Sequence, residues 1–183
     1  MTEQQPYEVI RQGHGYELRH YPESVVAEVR VRADFDNAGS LAFQPLVTYI
    51  GGANESRSSL AMTAPVIQNE PLAMTAPVLQ AAGGDGEYVV AFVLPRSVNL
   101  ESAPIPTDPR VRIRRIPESI TAATRYSGRW SRSAYLAKVA ELQAALTKDG
   151  LTAQGEPRFA RFDPPFKPWF LRRNEVQWYV EST

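Results

Sequence analysis

Short stretches in which apolar residues alternate with polar ones, or follow one another without a break, recur along the chain and predict β-strands. Tyr88–Leu94 is apolar throughout, which is typical of a strand buried on both faces. Turn residues at 22–24 and at 117–119 each separate two such stretches, so we expect a strand–turn–strand unit at both places. The predicted strands are Tyr16–Tyr21, Val25–Val31, Tyr88–Leu94, Arg110–Ile116, Ile120–Tyr126, Pro157–Phe162 and Glu175–Val180.

A first helix is predicted over Leu41–Ile50, where apolar residues recur every three to four positions. Asp34–Asn37 supplies helix-capping side chains before it, and Gly51 and Gly52 end it. Pro45 removes one backbone hydrogen bond, so the helix either bends there or begins near it. The residues of its apolar face are Phe43, Leu46, Val47 and Ile50.

A second helix is predicted over Ser131–Lys148 from the same periodicity. Ser131 or Ser133 caps its first turn, and Gly150 supplies the residue that ends it. The residues of its apolar face are Tyr135, Val139, Leu142 and Leu146.

The sequence LAMTAPV occurs twice, at Leu60–Val66 and at Leu72–Val78. The turn residues of Asn69–Pro71 lie between the copies, so we expect a hairpin of two nearly identical strands. Pro65 and Pro77 each lack the backbone N–H that pairs strands, which places them at bulges, strand ends or outward edges.

In chain order the predicted elements are β-β-α-β-β followed by β-β-β-α-β-β, which indicates the α+β class. The order suggests two related halves, about 7–82 and 87–181. No long flexible linker is apparent near Gly83–Gly86, so residues 1–183 are expected to form a single domain.

Composition and charge narrow the classes of function. The chain has 20 basic and 20 acidic residues and a formal net charge of zero, which argues against binding nucleic acid or anionic membranes by bulk electrostatics. Cysteine is absent, so disulfides and thiolate ligands are excluded. No apolar run reaches the roughly 20 residues of a membrane span, and Met1–Tyr7 lacks the apolar region of a signal peptide. We therefore expect a soluble, cytoplasmic protein.

Common catalytic and metal-binding motifs are missing. Gly13–Gly15 begins in the way a dinucleotide-binding loop does, but Leu18 stands where that motif needs its third glycine. His14 and His20 are the only histidines, so no metal site is expected.

Two charged segments have a structural and a binding interpretation. Arg110, Arg112 and Arg114 share one face of a predicted strand, as an anion-binding patch or as a charged edge that prevents further strand pairing. Asp163–Val176 combines prolines, aromatic residues and charges, and either holds the final strand in place or contacts a ligand.

Four motifs together resemble the haem-binding SOUL family, and their order and spacing match over about Tyr7–Val180. The resemblance implies a distorted antiparallel β-barrel of about eight strands with two helices on its surface. That fold is similar to the gyrase-inhibitor-like effector-binding domains. The motifs are Tyr16–Arg19 (YELR), Tyr49–Asn54 (YIGGAN), the doubled AMTAPV, and Asp163–Val176 (DPPFKPWFLRRNEV).

The resemblance also implies that the protein binds haem or another tetrapyrrole in an apolar cleft beside the first helix. A porphyrin is flat and mostly apolar, so contact area holds it while an arginine meets its propionates. His20 is a candidate axial ligand of the iron, and a hydrogen-bonded or solvated role is its alternative. The candidate cofactor-binding residues are Phe43, Leu46, Val47, Tyr49, Ile50, Arg57, Arg172 and His20.

Two other functions stay open beside the leading prediction of a haem-binding protein for buffering or transport. One is a module that binds a different amphipathic small molecule or a protein partner, by analogy with the related fold. The other is an enzyme that acts in the same cleft, with Glu17, Glu175 or Tyr126 as acid or base.

Overall fold

The computed structural model describes residues 3–55, 60, 63–69, 86–163 and 166–181. Its helices are α1 (Phe35–Ile50) and α2 (Arg132–Lys148), and Trp169–Leu171 forms a single 3₁₀ turn. The predicted α+β class with two helices is confirmed. The strands are β1 (Glu3–Gln4), β2 (Glu8–Gln12), β3 (Glu17–Tyr21), β4 (Ser24–Ala33), β5 (Thr63–Asn69), β6 (Gly86–Val93), β7 (Val111–Ile116), β8 (Ser119–Tyr126), β9 (Ala153–Arg161) and β10 (Asn174–Val180).

The strands form one continuous path of hydrogen-bonded neighbours. The order is β2-β3-β8-β10-β9-β5-β6-β4-β7, and β1 pairs in parallel with β5 beside this path. All other pairs are antiparallel. The runs β4-α1-β5-β6 and β8-α2-β9-β10 repeat the same order of elements, with the last strand of each run lying between the other two. The division of the chain near Gly83–Gly86 stays a prediction.

The expected closed barrel is wrong, because no pairing among the described residues joins β2 to β7. Both are edge strands whose side chains oppose further pairing. All five residues of β2 are exposed, and β7 exposes Arg112, Arg114 and Arg115. Charged side chains on an edge strand disfavour the addition of another strand.

The sheet nevertheless curls strongly. Residues 22–23 alone connect β3 with β4, and residues 117–118 alone connect β7 with β8. Three Cα–Cα steps span at most about 11 Å, so these distant parts of the path come close at both connections. The two predicted strand–turn–strand units therefore contain real strands, but the members of each unit pair with other strands rather than with each other.

The first helix begins earlier than predicted. Asp34 caps it by accepting a 2.8 Å hydrogen bond from the backbone N–H of Asn37, and Gly51 follows its last turn. Pro45 is buried inside the helix, so of the two predicted alternatives the one in which the helix begins near this proline is wrong. Burial of Phe35 and Ala38 stabilises the additional turns at the start.

The second helix matches its prediction. The Ser131 side chain accepts a hydrogen bond from the Ala134 N–H at its start, and Gly150 follows it with a φ of 70°. Of the repeated heptapeptide, the first copy contributes Thr63–Val66 to β5, and the second copy lies outside the described residues. No helix in the described part of the chain is long and apolar enough to cross a bilayer.

The two helices cover the same side of the sheet. α1 packs on β4 and β6, whereas α2 packs on β8, β9 and β10. Phe35, in the first turn of α1, stacks on Tyr135 of α2 and on Phe159 of β9 at ring-centroid distances of 4.9 and 5.4 Å. This aromatic contact fixes the start of α1 against α2, and β5 lies between the strands on which α1 packs and those on which α2 packs.

A buried ion pair on the opposite side of the sheet joins β3 to β10, across the intervening β8. Arg19 donates to both carboxylate oxygens of Glu175, at 2.7 and 3.1 Å, and the two residues are 3% and 0% exposed. Arg173 and Gln177 also donate to this carboxylate. Burial alone would raise the pKa of Glu175, but these hydrogen bonds and the positive charge of Arg19 hold it below its ordinary value.

Replacing Glu175 tests the weight of this ion pair. Glu175→Gln removes the buried counter-charge of Arg19 and Arg173, while Arg19 keeps its ion pair with the partly exposed Glu17. The free energy of unfolding should therefore fall by roughly 3 kcal/mol at pH 7, the lower end for a broken buried pair. A carboxylate with a lowered folded pKa stabilises the protein above its unfolded pKa of about 4.3, and this contribution disappears as the pH falls through the folded value. The stability of Glu175→Gln should therefore decrease less between neutral and acidic pH.

Urea unfolding at neutral and acidic pH measures both effects. The exposed Glu101, changed to Gln, is the matched control and should alter stability by no more than about 0.5 kcal/mol. Wild-type stability in Glu175→Gln, with an unchanged dependence on acid, would contradict the assigned role.

Candidate functional site

The region between the two helices, which we take as a candidate groove, combines apolar and cationic side chains. We call it the interhelical groove and define it by one stripe of α1, by the neighbouring residues of β9 and β5, and by the segment before α2 with the chain that leads into β10. Its members are Asp36, Gly39, Phe43, Val47, Val66, Trp130, Arg161 and Arg172.

The stripe on α1 follows from helix geometry, since residues three or four apart lie on one side. At its start, Asp36 accepts a 2.9 Å hydrogen bond from the backbone N–H of Arg132, the first residue of α2. This contact turns the stripe toward α2. Further along, Phe43 is 39% exposed and meets the ring of Phe92 edge-on, and Val47 is half-buried. The stripe thus presents apolar surface beyond its first turn.

Arg161 lies beneath the middle of this stripe. A Cβ built on Gly39 would lie 2.1 Å from Nη1 of Arg161, so the absence of a side chain at Gly39 makes room for the guanidinium. Burial lowers the pKa of Arg161 to about 10, which leaves it charged at neutral pH. Val66 is the register partner of Arg161, and paired residues share one face of a sheet. A cation and an aliphatic side chain therefore lie side by side on the strands below the helices.

A second arginine, Arg172, lies close to Arg161 because both guanidiniums stack on the ring of Trp130. The guanidinium carbons of Arg161 and Arg172 lie 4.8 and 4.3 Å from the centre of the Trp130 ring. The indole N–H donates to the side-chain oxygen of Asn174 at 2.9 Å, and the Asn174 amide donates to the carbonyl of Gly128. The fully buried Asn174 thereby fixes the ring on which the two cations rest.

Tyr126 adds a buried hydroxyl beside this cluster. Its ring stacks on Phe159, and its oxygen is buried without a hydrogen-bond partner among the described residues. Burial raises the pKa of Tyr126 above its ordinary value, although the charge of Arg161 opposes the effect. The phenol is therefore neutral at physiological pH and leaves one polar atom unsatisfied near the arginines.

The residues predicted to line a cleft divide into two groups. Phe43 and Val47 lie on the groove stripe. By contrast, Leu46, Tyr49 and Ile50 are at most 7% exposed and pack into the core between α1 and the sheet. The predicted helical face is thus mainly the face that attaches the helix to the sheet.

The predicted polar contacts are also divided. Arg172 lies at the Trp130 end of the groove, where its Nε donates to the carbonyl of Lys167. His20 lies on β3, four strands away from β5 along the path, with its Nε2 3.5 Å from a carboxylate oxygen of Glu118. Arg57 lies outside the described residues.

Sequence reasoning missed Arg161, Trp130 and the spacing role of Gly39. A glycine within a helical pattern is a usable sign, because it lowers helix stability unless close packing requires it. The stacking of two arginines on Trp130 has no comparable sign, since it brings residues from three separate segments together.

The two carboxylates among the candidate acid–base residues have structural partners. Glu175 is an ion-paired carboxylate inside the sheet, and Glu17 accepts a hydrogen bond from the Nε of Arg19. Among the pockets that described residues line, an enclosed one near Gln5 and Leu94 measures about 60 Å³. Small-molecule sites usually measure about 300–1,000 Å³, so that pocket is too small for a tetrapyrrole.

The fit between Gly39 and Arg161 gives a prediction for stability. Gly39→Ala should displace the guanidinium and lower the free energy of unfolding by roughly 1 kcal/mol, although alanine favours the helix by about the same amount. With Arg161 changed to Ala, the same substitution should stabilise the protein by up to about 1 kcal/mol. A double-mutant cycle by urea unfolding measures this change of sign, and equal effects in both backgrounds would contradict the contact.

Comparison with known proteins agrees with this architecture. The chain is 28% identical to "Heme-binding protein 1" of Xenopus tropicalis over 180 residues, which cover 94% of this chain and 86% of that protein. It is 30% identical to "Heme-binding protein 1" of Sus scrofa over 187 residues, with 97% and 92% covered. The crystal structure of the EcmrR C-terminal domain superposes with a TM-score of 0.67 at 14% identity, and covers 97% of this chain and 99% of that one.

The structural likeness concerns the fold alone and agrees with the expected similarity to gyrase-inhibitor-like effector-binding domains. The family follows from the sequence, since the profile described as "SOUL heme-binding protein" matches residues 2–179. The buried ion pair between Arg19 and Glu175 joins two of the motifs that carried the resemblance, Tyr16–Arg19 and Asp163–Val176. The profile match shows that this protein belongs to the SOUL haem-binding family.

Proposed function

We propose that this protein binds haem or a related tetrapyrrole without a covalent bond, in the interhelical groove. The observation that carries the proposal is its membership of the SOUL family over residues 2–179. The location is supported by the accessible apolar surface of Phe43 on α1, which lies one turn beyond Gly39 and its contact with Arg161, and by the stacking of Arg161 and Arg172 on Trp130.

The residues of the groove match the chemistry of such a ligand. A tetrapyrrole is a flat apolar ring with carboxylates at one edge, so it needs apolar contact and cations at one end. Phe43 and Val47 supply apolar contact, while Arg161 and Arg172 supply the cations. The buried hydroxyl of Tyr126 offers a further hydrogen-bond donor. Bound haem would bring a redox-active iron to this surface.

Histidine ligation is not part of the proposal. His20 lies on β3, where it is close to Glu118. His14 pairs with Asp149, just beyond the end of α2. Both histidines of the chain therefore lie away from the groove. Apolar contact and ion pairing with the carboxylates would then provide the affinity. This mode suits buffering or transport of a tetrapyrrole in the cytoplasm, where the ligand must also be released.

The contribution of the apolar residues of the groove can be tested with two substitutions on α1. Val47→Asp places a charge against the proposed ligand, and its affinity for hemin should fall by at least about tenfold. Leu41→Asp is the matched control, because Leu41 is 57% exposed and lies outside the groove stripe; its affinity should remain close to that of the wild type. Hemin titration followed by the Soret band measures both.

Circular dichroism shows whether each variant is folded. If Val47→Asp does not fold, Phe43→Ser serves as a second groove variant. His20→Ala should leave the position of the Soret band unchanged. Wild-type affinity in both groove variants would refute the location. A wild-type titration no stronger than that of an unrelated β-protein would refute haem binding, and a ligand screen by thermal shift would then address the effector-binding alternative.

The role of the arginines can be separated from that of the apolar residues of the groove. Arg172→Ala should weaken binding of protoporphyrin IX by about five- to tenfold, since it removes a charge-assisted hydrogen bond to a propionate. Binding of the dimethyl ester, which has no carboxylate, should not change. Arg110→Ala is the control, because Arg110 is exposed and pairs with Asp108. Equal losses for the acid and the ester would contradict propionate pairing.

A further inference from the structure

The segment Phe166–Leu171 exposes four large apolar side chains to solvent. We call it the aromatic loop. Phe166 is 87% exposed, Trp169 48%, Phe170 58% and Leu171 57%. Single exposed apolar side chains are common on soluble proteins, but several within six residues form a patch of the kind that marks an interaction site.

The exposure is a property of a held conformation. Asp163 accepts a 2.6 Å hydrogen bond from the Lys167 ammonium and another from the backbone N–H of Arg173. The Nε of Arg172 donates to the Lys167 carbonyl at 2.8 Å, and the N–H of Leu171 donates to the carbonyl of Pro168. The backbone of the aromatic loop is therefore fixed from both ends while its apolar side chains point outward.

Basic residues lie next to this patch along the chain or in space. The guanidinium of Arg129 lies 5.5 Å from the centre of the Trp169 ring, Lys167 lies within the loop, and Arg172 follows it. The acidic residue that contacts the loop, Asp163, is 16% exposed and is engaged with Lys167. Arg129 thus places an exposed positive charge beside the aromatic loop, whereas Lys167 is paired with Asp163 and Arg172 is turned toward Trp130.

We propose that the aromatic loop inserts into the interface of a lipid bilayer that contains anionic lipids. Tryptophan and phenylalanine side chains favour the boundary between headgroups and acyl chains. Arginine and lysine beside them are attracted to anionic headgroups. The insertion is local, which is compatible with the zero net charge that argues against binding by bulk electrostatics.

A second copy of the chain is a poorer occupant of this surface. The four side chains expose roughly 500 Å² together, if a large apolar side chain has about 150–250 Å² in all. A stable dimer buries about 800 Å² on each partner. Protruding side chains also need a complementary hollow in a protein partner, whereas a fluid bilayer adapts to them.

Vesicle co-sedimentation tests the proposal with the full chain. The protein should bind vesicles of phosphatidylcholine with phosphatidylglycerol, bind those of phosphatidylcholine alone less well, and bind more weakly at high salt. Phe170→Ser should reduce binding by about tenfold, and Arg129→Gln by about fivefold. Ile105→Ser is the matched control, because Ile105 is 60% exposed on a different loop; it should bind as the wild type does.

Three results would overturn the proposal. They are no binding to anionic vesicles, wild-type binding by a folded Phe170→Ser variant, and a dimer in gel filtration that Phe170→Ser abolishes. Phe166→Ser is a second variant, since Phe166 is 87% exposed and its replacement removes little buried surface. Hemin titration of Phe166→Ser should give the wild-type affinity, so failure of vesicle binding and failure of haem binding are distinguished.

Discussion

The buried pair of Arg19 and Glu175 is the interaction on which the shape of this protein depends. Strand β3 arrives at the sheet from the start of the chain and β10 from its end, and the ion pair joins them across β8. A carboxylate removed from water costs several kcal/mol unless it is fully paired, and here Arg19, Arg173 and Gln177 all donate to it. A shift in the register of β3 or β10 would move these donors away from the carboxylate, so the network stabilises the observed arrangement of β3, β8 and β10.

That arrangement has consequences on the other side of the same strands. Residues alternate across a strand, so the register that points Glu175 and Gln177 to one side points Asn174 and Val176 to the other. Asn174 then orients Trp130, on which Arg161 and Arg172 rest. Val176 packs into the core beneath α2. The ion pair on one side of the sheet and the cationic cluster on the other are thus positioned by the same short strand.

The segment 163–173 contributes Arg172 to the groove and also forms the aromatic loop. Asp163 and Arg173 hold the ends of this segment together. Arg172 faces inward to the Trp130 ring, while Phe166 and Phe170 face outward. A ligand that is itself apolar and amphipathic partitions into membranes. A tetrapyrrole groove beside a bilayer-binding loop would therefore place the protein where such a ligand is collected or delivered.

Sequence alone determined the local structure and the family. Periodicity, caps and turn residues located both helices and seven of the strands, because each depends on neighbours within a few positions. The repeated and terminal motifs identified the SOUL family. Strand pairing was decided by the tertiary structure. Only two residues join β3 to β4, yet the two strands lie far apart in the order of the sheet. Their neighbours are set by contacts between residues distant in sequence, such as Arg19 with Glu175. For the same reason periodicity found the apolar face of α1, but only packing shows that Leu46 and Tyr49 belong to the core and Phe43 and Val47 to the groove.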